Sequence, residues 1–443
     1  MSHTPRFHRL AVDDLRRESP DAVSMTFAIP KSLEPDYRFA PGQYLTLRTT
    51  MDGEEVRRSY SICSGPDDGE LRIAVKKVDG GAFSSWAADE LKAGDQLDVM
   101  TPTGRFGVAV APGEARVYVG FAAGSGITPI LSIVKGVLAR EPNSRFFLFY
   151  GNRSTSGMLF REALEELKDR FIQRLSVFHV ISGEEQDIPI LHGRLDGEKV
   201  RVLLRSLVPA ASVDHVFICG PTGMSEDIEA TCREIGIAAD RIHVERFVSG
   251  LGGKPRPKAV VPDTAPPKAF ASLIIDGKRR EVPVAEGEAI LDAALRAGVD
   301  LPFACKGGMC STCRAKLVEG SAEMEVNYSL EPWELEKGFI LTCQARPTSD
   351  KVVVDYDHVC PSFRGARSAN PESRDSGFSP AGLPRNDGLL HSFGRLSYTR
   401  LALPSERSSV SGATALMMAW MPVVFLMWWV TRLVCSARPL SSQ

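Results

Sequence analysis

Four cysteines constrain this chain more than any other feature. They stand as Cys305-x4-Cys310-x2-Cys313, followed by x29 and Cys343. This is the plant-type [2Fe–2S] spacing. Two irons need four thiolates in one small volume, and three from a tight loop plus one from a distant segment supply them. Gly307 and Gly308 lie inside the loop, where they permit positive φ and keep side chains away so that backbone N–H groups can face the sulfurs. Zinc is the alternative, but zinc sites generally use Cys-x2-Cys pairs and only one is present. Nine cysteines in 443 residues are too few for a disulfide scaffold. The Met1–Leu10 segment has no apolar core of a secretory signal, so a cytoplasmic setting is expected.

The chain reads as several domains. Up to about residue 112, short runs rich in β-branched and aromatic residues alternate with Gly and Pro turns: Ser24–Ile29, Tyr44–Arg48, Arg58–Cys63 and Leu71–Val78. One helix is expected at Phe83–Leu91, and the pattern predicts an antiparallel barrel or sandwich. Over 113–249 the pattern changes to apolar strands alternating with helices. Strands at Val117–Phe121, Arg145–Tyr150, Leu175–Ile181 and His215–Cys219, with helices at Pro129–Ala139 and Met158–Lys168, predict a parallel, doubly wound α/β domain. Residues 250–268 are a Gly- and Pro-rich linker. Within 269–359, Ala269–Ile275 and Arg280–Val284 form a hairpin about Asp276-Gly277, and a helix follows at Glu288–Ala297.

Further constellations carry chemistry. In Arg57-Arg58-Ser59-Tyr60-Ser61, an aromatic ring can stack on a flavin, a hydroxyl can bond its N5 edge, and an Arg can grip a pyrophosphate. Gly80-Gly81-Ala82-Phe83-Ser84 opens a helix and makes an anion site for the same pyrophosphate, or a plain helix cap. Gly124-Ser125-Gly126-Ile127-Thr128-Pro129 lies between a strand and a helix, the context of a nucleotide loop. Cys219-Gly220-Pro221 ends a later strand, where ligands of open α/β sheets bind. Cys219 faces a nicotinamide there, or is an ordinary buried thiol. Arg153, after Tyr150-Gly151-Asn152, is either a partner for a ribose 2′-phosphate or a surface charge.

Taken in order over residues 6 to 359, these motifs resemble the ferredoxin–NADP reductase family with a C-terminal plant-type ferredoxin domain. The resemblance implies a β-barrel FAD domain, an α/β NADP-binding domain and an α+β (β-grasp) [2Fe–2S] domain. It implies FAD contacts from Arg58, Tyr60, Ser61, Gly81 and Ser84, and nucleotide contacts from Gly124, Gly126, Thr128, Pro129, Arg153, Gly220 and Pro221. Glu245-Arg246-Phe247 matches the segment closing the nucleotide domain near the flavin. Tyr60, Ser61, Cys219 and Glu245 are thereby the candidate catalytic residues, Phe247 a cofactor contact, and Cys305, Cys310, Cys313 and Cys343 the cluster ligands. Within the family, Tyr150–Ser154, His192–Lys199, Ala304–Cys313 and Asn327–Pro332 resemble the reductase subunits of phenylacetyl-CoA epoxidase (ring 1,2-epoxidase) complexes. That implies electron flow from NADPH, with NADH the alternative, through FAD and [2Fe–2S] to a multi-subunit di-iron oxygenase in phenylacetate degradation. Another oxygenase, hydroxylase or desaturase is the alternative acceptor. A redox sensor or carrier without catalysis is the remote one.

Charge adds two points. A net charge of −2 offers no general attraction to nucleic acid. Residues 269–359 hold fifteen acids against ten bases, which suits docking to a basic patch but equally an ordinary acidic surface. The tail, 360–443, departs from the body: nine Arg, no Lys, four acids and fourteen Ser. It is expected to be irregular and low in complexity. Its uncharged stretch 413–430 falls short of the usual spanning length. Translation past a lost stop codon or frameshift is therefore favoured over a membrane anchor. Residues 1 to 359 are expected to fold and work without it.

Overall fold

The computed structural model describes residues 5–247 and 267–358. Almost all of the expected linker, the whole tail and its apolar segment 413–430 lie outside the described residues.

The first sheet contains six antiparallel strands: β1 (Phe7–Ser19), β2 (Ala22–Ala28), β3 (Tyr44–Met51), β4 (Glu54–Ser61), β5 (Arg72–Lys76) and β6 (Gln96–Met100). Their order is β4-β3-β6-β1-β2-β5. A bridge from Ile62 to Ile73 joins the two ends, so the sheet curls into the expected barrel. Leu10, Val23, Met25, Leu45, Leu47 and Ile73 fill it. Helix α1 (Ala82–Asp89) seals it through Phe83 and Ala87. β1 was not legible as a strand because register shifts after Val12 and Arg17 break its period of two.

The second sheet is wholly parallel. Its strands are β7 (Val117–Ala123), β8 (Arg145–Asn152), β9 (Leu175–Ile181), β10 (His215–Gly220) and β11 (Ile242–Arg246), ordered β11-β10-β7-β8-β9. Successive residues of β7 serve opposite faces. Tyr118 and Ala122 pack with helices α2 (Ile127–Arg140) and α3 (Arg161–Arg170). Val119 and Phe121 pack with α4 (Gly197–Leu207) and α5 (Thr222–Glu234). This is a doubly wound fold, and strand order reverses between β7 and β10, where such sheets open a ligand crevice.

The third sheet is mixed. Strands β12 (Ala269–Ile275), β13 (Lys278–Val284), β14 (Arg314–Glu319), β16 (Phe339–Leu341) and β18 (Lys351–Asp355) run in the order β13-β12-β18-β14-β16. A short pair, β15 (Ala322–Met324) with β17 (Ala345–Pro347), lies beside it. Helix α6 (Ile290–Arg296) covers one face with Ile290, Leu291 and Ala294. Asp276 and Gly277, at φ 50° and 73°, make the tight turn read from their sequence. This is the α+β architecture expected around the four cysteines.

Polar side chains bind the third sheet's unit to the barrel. The Arg57 side chain is 4% exposed, and its guanidinium donates to Asp300 Oδ1 at 3.0 Å and to the Leu301 carbonyl at 3.2 Å. It also lies 3.9 Å from the centre of the Phe303 ring. A second clasp centres on Glu334, which is fully buried in α7 (Pro332–Glu336). Its carboxylate accepts from Arg314 Nε at 2.7 Å and from the Glu331 N–H at 3.0 Å, and pairs with Arg105 of the barrel. Glu334→Ala would leave two guanidinium groups without their carboxylate, a loss of about 3–5 kcal/mol. Denaturant unfolding should show a lower midpoint. An unchanged midpoint would mean the clasp contributes little.

Candidate functional site

The flavin segment is the end of β4, and its neighbours fix what each side chain does. Arg58 is exposed, and its guanidinium reaches back to the Arg57 carbonyl at 2.8 Å. Tyr60 stacks on Phe83 of α1, with ring centres 5.7 Å apart and planes 30° apart. One aromatic contact thus brings the Tyr60-Ser61 pair beside the Gly81–Ser84 turn. Burial pushes the Tyr60 phenol up, so it stays protonated. Ser61 is buried. Ser84 is also buried; its hydroxyl accepts from the Val78 N–H and donates to the Gly81 carbonyl, each at 3.1 Å. Ser84 therefore shapes the turn, while Gly81 sits at the N-terminus of α1. The set fits a flavin diphosphate: an exposed Arg on β4, a helix start at α1 and an aromatic pair between the two segments.

The nucleotide loop meets the end of β10 at backbone contact distance. A Cβ on Gly126 would fall 2.1 Å from the Cys219 carbonyl oxygen, so only glycine fits. Gly124 has φ 53°, which starts the turn. The Thr128 hydroxyl donates to the Ser125 carbonyl at 3.0 Å, and Thr128 and Pro129 are buried in the first turn of α2. These two residues build the loop from within. Gly220 and Pro221 connect β10 to α5. Arg153 is exposed past the end of β8, and its carbonyl accepts from Gly183 N at 2.8 Å.

Cys219 and Glu245 are register partners on β10 and β11. Cys219 is wholly buried, which, with the Glu245 charge, pushes its thiol well above the usual range. It is a neutral thiol. Burial pushes the Glu245 carboxyl up to about 8, with Arg105 opposing weakly. Phe247, partly buried, packs against the α2 side of the nucleotide domain. The Glu245 shift has a consequence for stability. Between about 4.5 and about 8 the folded carboxyl holds a proton that the unfolded one has lost. The flavin-free protein should therefore lose thermal stability as pH rises through that window, and Glu245→Gln should flatten the slope. Parallel slopes in melting curves of the two proteins would contradict this.

The four cysteines associate two by two. Cys305 pairs with Cys310 and Cys313 with Cys343, each through a thiol contact. Among the described residues, no group of three or more His, Cys, Asp or Glu converges as a single ion would require. Four thiolates are what a [2Fe–2S] cluster would take. Backbone and side-chain donors surround the sulfurs: Gly307 N to Cys305 at 3.3 Å, Thr312 Oγ1 to Cys310 at 3.2 Å and Gln344 Nε2 to Cys343 at 3.6 Å. Cys310 as donor, helped by the N–H groups of Gly307, Met309 and Cys310, holds Cys305 down to about 5. Cys313, Gln344 and Gly308 likewise hold Cys343 low. The donor set fits a [2Fe–2S] cluster.

Sequence reasoning missed the residues that join these parts. Tyr44, Arg57, Arg105 and Glu334 carry no spacing signal. Glu331-Pro332-Trp333-Glu334 closes as a capping box in the structure, although it lacks the Ser or Thr of the usual sequence signature.

Comparison with known proteins gives three family matches: an oxidoreductase FAD-binding domain at residues 9–107, an oxidoreductase NAD-binding domain at 121–230 and a 2Fe-2S iron-sulfur cluster binding domain at 273–348. The chain is 46% identical over 352 residues to a component of the 1,2-phenylacetyl-CoA epoxidase of Escherichia coli strain K12, covering 79% of this chain and 98% of that one. It is 36% identical to the 3-ketosteroid-9-alpha-monooxygenase ferredoxin reductase component of Mycolicibacterium smegmatis, covering 79% and 96%. In fold, it matches part of an intact type IV self-sufficient cytochrome P450 monooxygenase. The TM-score is 0.56 at 24% identity, over 79% of this chain and 41% of that structure.

Proposed function

The chain belongs to the ferredoxin-bearing branch of the ferredoxin–NADP reductase family, and from that premise we propose that it is the reductase component of a phenylacetyl-CoA epoxidase. Near full-length similarity to the Escherichia coli protein carries this reading. When bound, FAD accepts a hydride as an electron pair, and the [2Fe–2S] cluster relays single electrons. The chain's own work is to bind, orient and insulate. In this reading Arg58 and the Gly81–Ser84 turn hold the flavin diphosphate, and Tyr60 and Ser61 hold its ring. The Gly124–Pro129 loop and Gly220-Pro221 cradle the NADPH diphosphate, with Arg153 available to a 2′-phosphate. Cys219, Glu245 and Phe247 would bound the nicotinamide side, where a neutral thiol and a protonated carboxyl place no negative charge. Cys305, Cys310, Cys313 and Cys343 would hold the cluster through their four thiolates.

The acceptor is then a multi-subunit di-iron oxygenase. Among the described residues no helix is long and apolar enough to cross a membrane. The test combines the full chain, NADPH and the purified catalytic subunits of a phenylacetyl-CoA epoxidase, with product followed by mass spectrometry. Epoxide formation dependent on this chain supports the reading. Reduction of an artificial acceptor without any coenzyme-A product would reject this partner. It would favour the second reading, a reductase for another oxygenase, to which the similarity to the steroid monooxygenase component points.

A further inference from the structure

One buried hydroxyl touches both redox centres' supports. Tyr44 opens β3, and its register partner on β4 is Ser61 of the flavin segment; the next pair is Leu45 with Tyr60. The Tyr44 side chain is nearly inaccessible, at 4% exposure. Its ring is held over Gly104, where a Cβ would come within 2.8 Å of the ring, and its backbone exchanges hydrogen bonds with Thr103. From this fixed position its hydroxyl crosses into the cluster loop. It donates to the Cys310 carbonyl and lies 3.0 Å from Thr312 Oγ1. Thr312 Oγ1 in turn donates to Cys310 Sγ at 3.2 Å. Only one arrangement of the two hydroxyl protons uses every contact. The Tyr44 proton is shared between the Cys310 carbonyl and Thr312 Oγ1, and the Thr312 proton points at the Cys310 sulfur.

We propose that Tyr44 is a positioning residue for transfer between the cofactors: it seats the Cys310–Cys313 turn on the flavin strand and, through Thr312, strengthens the hydrogen bond on Cys310 Sγ. The inference rests on the electron-transfer reading above and extends it to a residue outside the family's flavin, nucleotide and cluster motifs. Two physical effects follow. The Arg57 and Glu334 clasps hold the two units together, and Tyr44 adds the contact that reaches the Cys310–Cys313 turn itself. The reduced cluster, carrying more negative charge, gains more from a donor on its thiolate than the oxidised one, and a chain of donors polarises its last member.

The test uses the full chain loaded with FAD and iron, as wild type, Tyr44→Phe, Thr312→Val and Thr312→Ser. In anaerobic stopped flow with NADPH, flavin bleaching in Tyr44→Phe should match wild type, while cluster bleaching should slow by about two- to tenfold, the worth of one hydrogen bond. In an EPR-monitored redox titration, Tyr44→Phe and Thr312→Val should both shift the cluster potential negative. A tenfold weaker hold on the reduced cluster corresponds to about 59 mV. Thr312→Ser keeps the hydroxyl and should restore the wild-type potential. A Tyr44→Phe protein with unchanged cluster bleaching and unchanged potential overturns the inference while leaving the reductase reading intact. A wild-type chain that takes no electrons from NADPH overturns both. Should Tyr44→Phe fail to fold, Thr312→Val decides by its potential alone, an unshifted value overturning the inference.

Discussion

Cys343→Ser is expected to yield a protein that keeps its flavin, loses its iron and no longer passes electrons beyond the flavin. The substitution removes half of one thiolate pair, leaving Cys313 alone beside the intact Cys305–Cys310 pair. Cys343 is buried and follows β16, far in sequence from the cluster loop, so no nearby side chain can replace it. Loss of an outer-shell partner alone costs metal sites about 10–100-fold, so loss of a ligand should reduce cluster-dependent turnover by at least the upper figure. Direct two-electron chemistry should survive, because the barrel and parallel sheet have their own cores. NADPH-driven ferricyanide reduction should therefore stay near wild type while oxygenase-coupled turnover disappears. Iron analysis and flavin absorbance check the two halves separately. A variant that retained iron and cluster absorbance would remove Cys343 from the ligand set. A variant that lost FAD as well would show that the cluster unit supports the barrel.

Gly126→Ala should cripple the nucleotide site with little effect on the other two cofactors. Gly126 has φ −62°, which any residue adopts, so the penalty is wholly spatial. The added Cβ would meet the Cys219 carbonyl oxygen at 2.1 Å, its carbon at 2.5 Å and Gly220 N at 3.0 Å. All three are backbone atoms of a central strand and cannot swing aside. Either the loop lifts or β10 shifts, and each displaces the surface proposed to carry the diphosphate. Overpacking of this kind costs about 1–3 kcal/mol, equivalent to roughly 5- to 150-fold in affinity. NADP+ titration should show that weakening, with flavin and iron content unchanged. Gly124→Ala is the contrast: its Cβ meets nothing within 4 Å, but its φ is 53°. Only the left-handed backbone penalty of about 1–2 kcal/mol applies there. Equal NADP+ affinity in Gly126→Ala and wild type would refute the close approach.

Much of this architecture was legible because each domain advertises itself differently. The parallel sheet showed as unbroken apolar runs, since both faces of β7, β8 and β10 are covered. The hairpin of β12 and β13 showed through Asp276-Gly277, and the cluster through cysteine spacing. β1 was hidden by its bulges and charged outer face, as α4 and α5 were by their many charged residues. The joints between domains were not legible at all. Tyr44, Arg57 and Arg105 act on residues some 230 to 270 positions away, and nothing local marks a side chain whose partner belongs to another domain. Ser84 and Thr128 illustrate a subtler gap. Both were placed in cofactor segments by resemblance, and the structure adds that their hydroxyls engage nearby backbone and shape the loops that carry the glycines.

The central claim is that flavin and cluster in one chain act in series, and anaerobic reduction by NADPH tests it most directly. With limiting NADPH and no acceptor, flavin bleaching should precede the EPR signal of the reduced cluster, which should then appear in every chain that holds iron. A flavin fully reduced by NADPH beside a cluster that stays EPR-silent, yet responds to dithionite, would contradict the account.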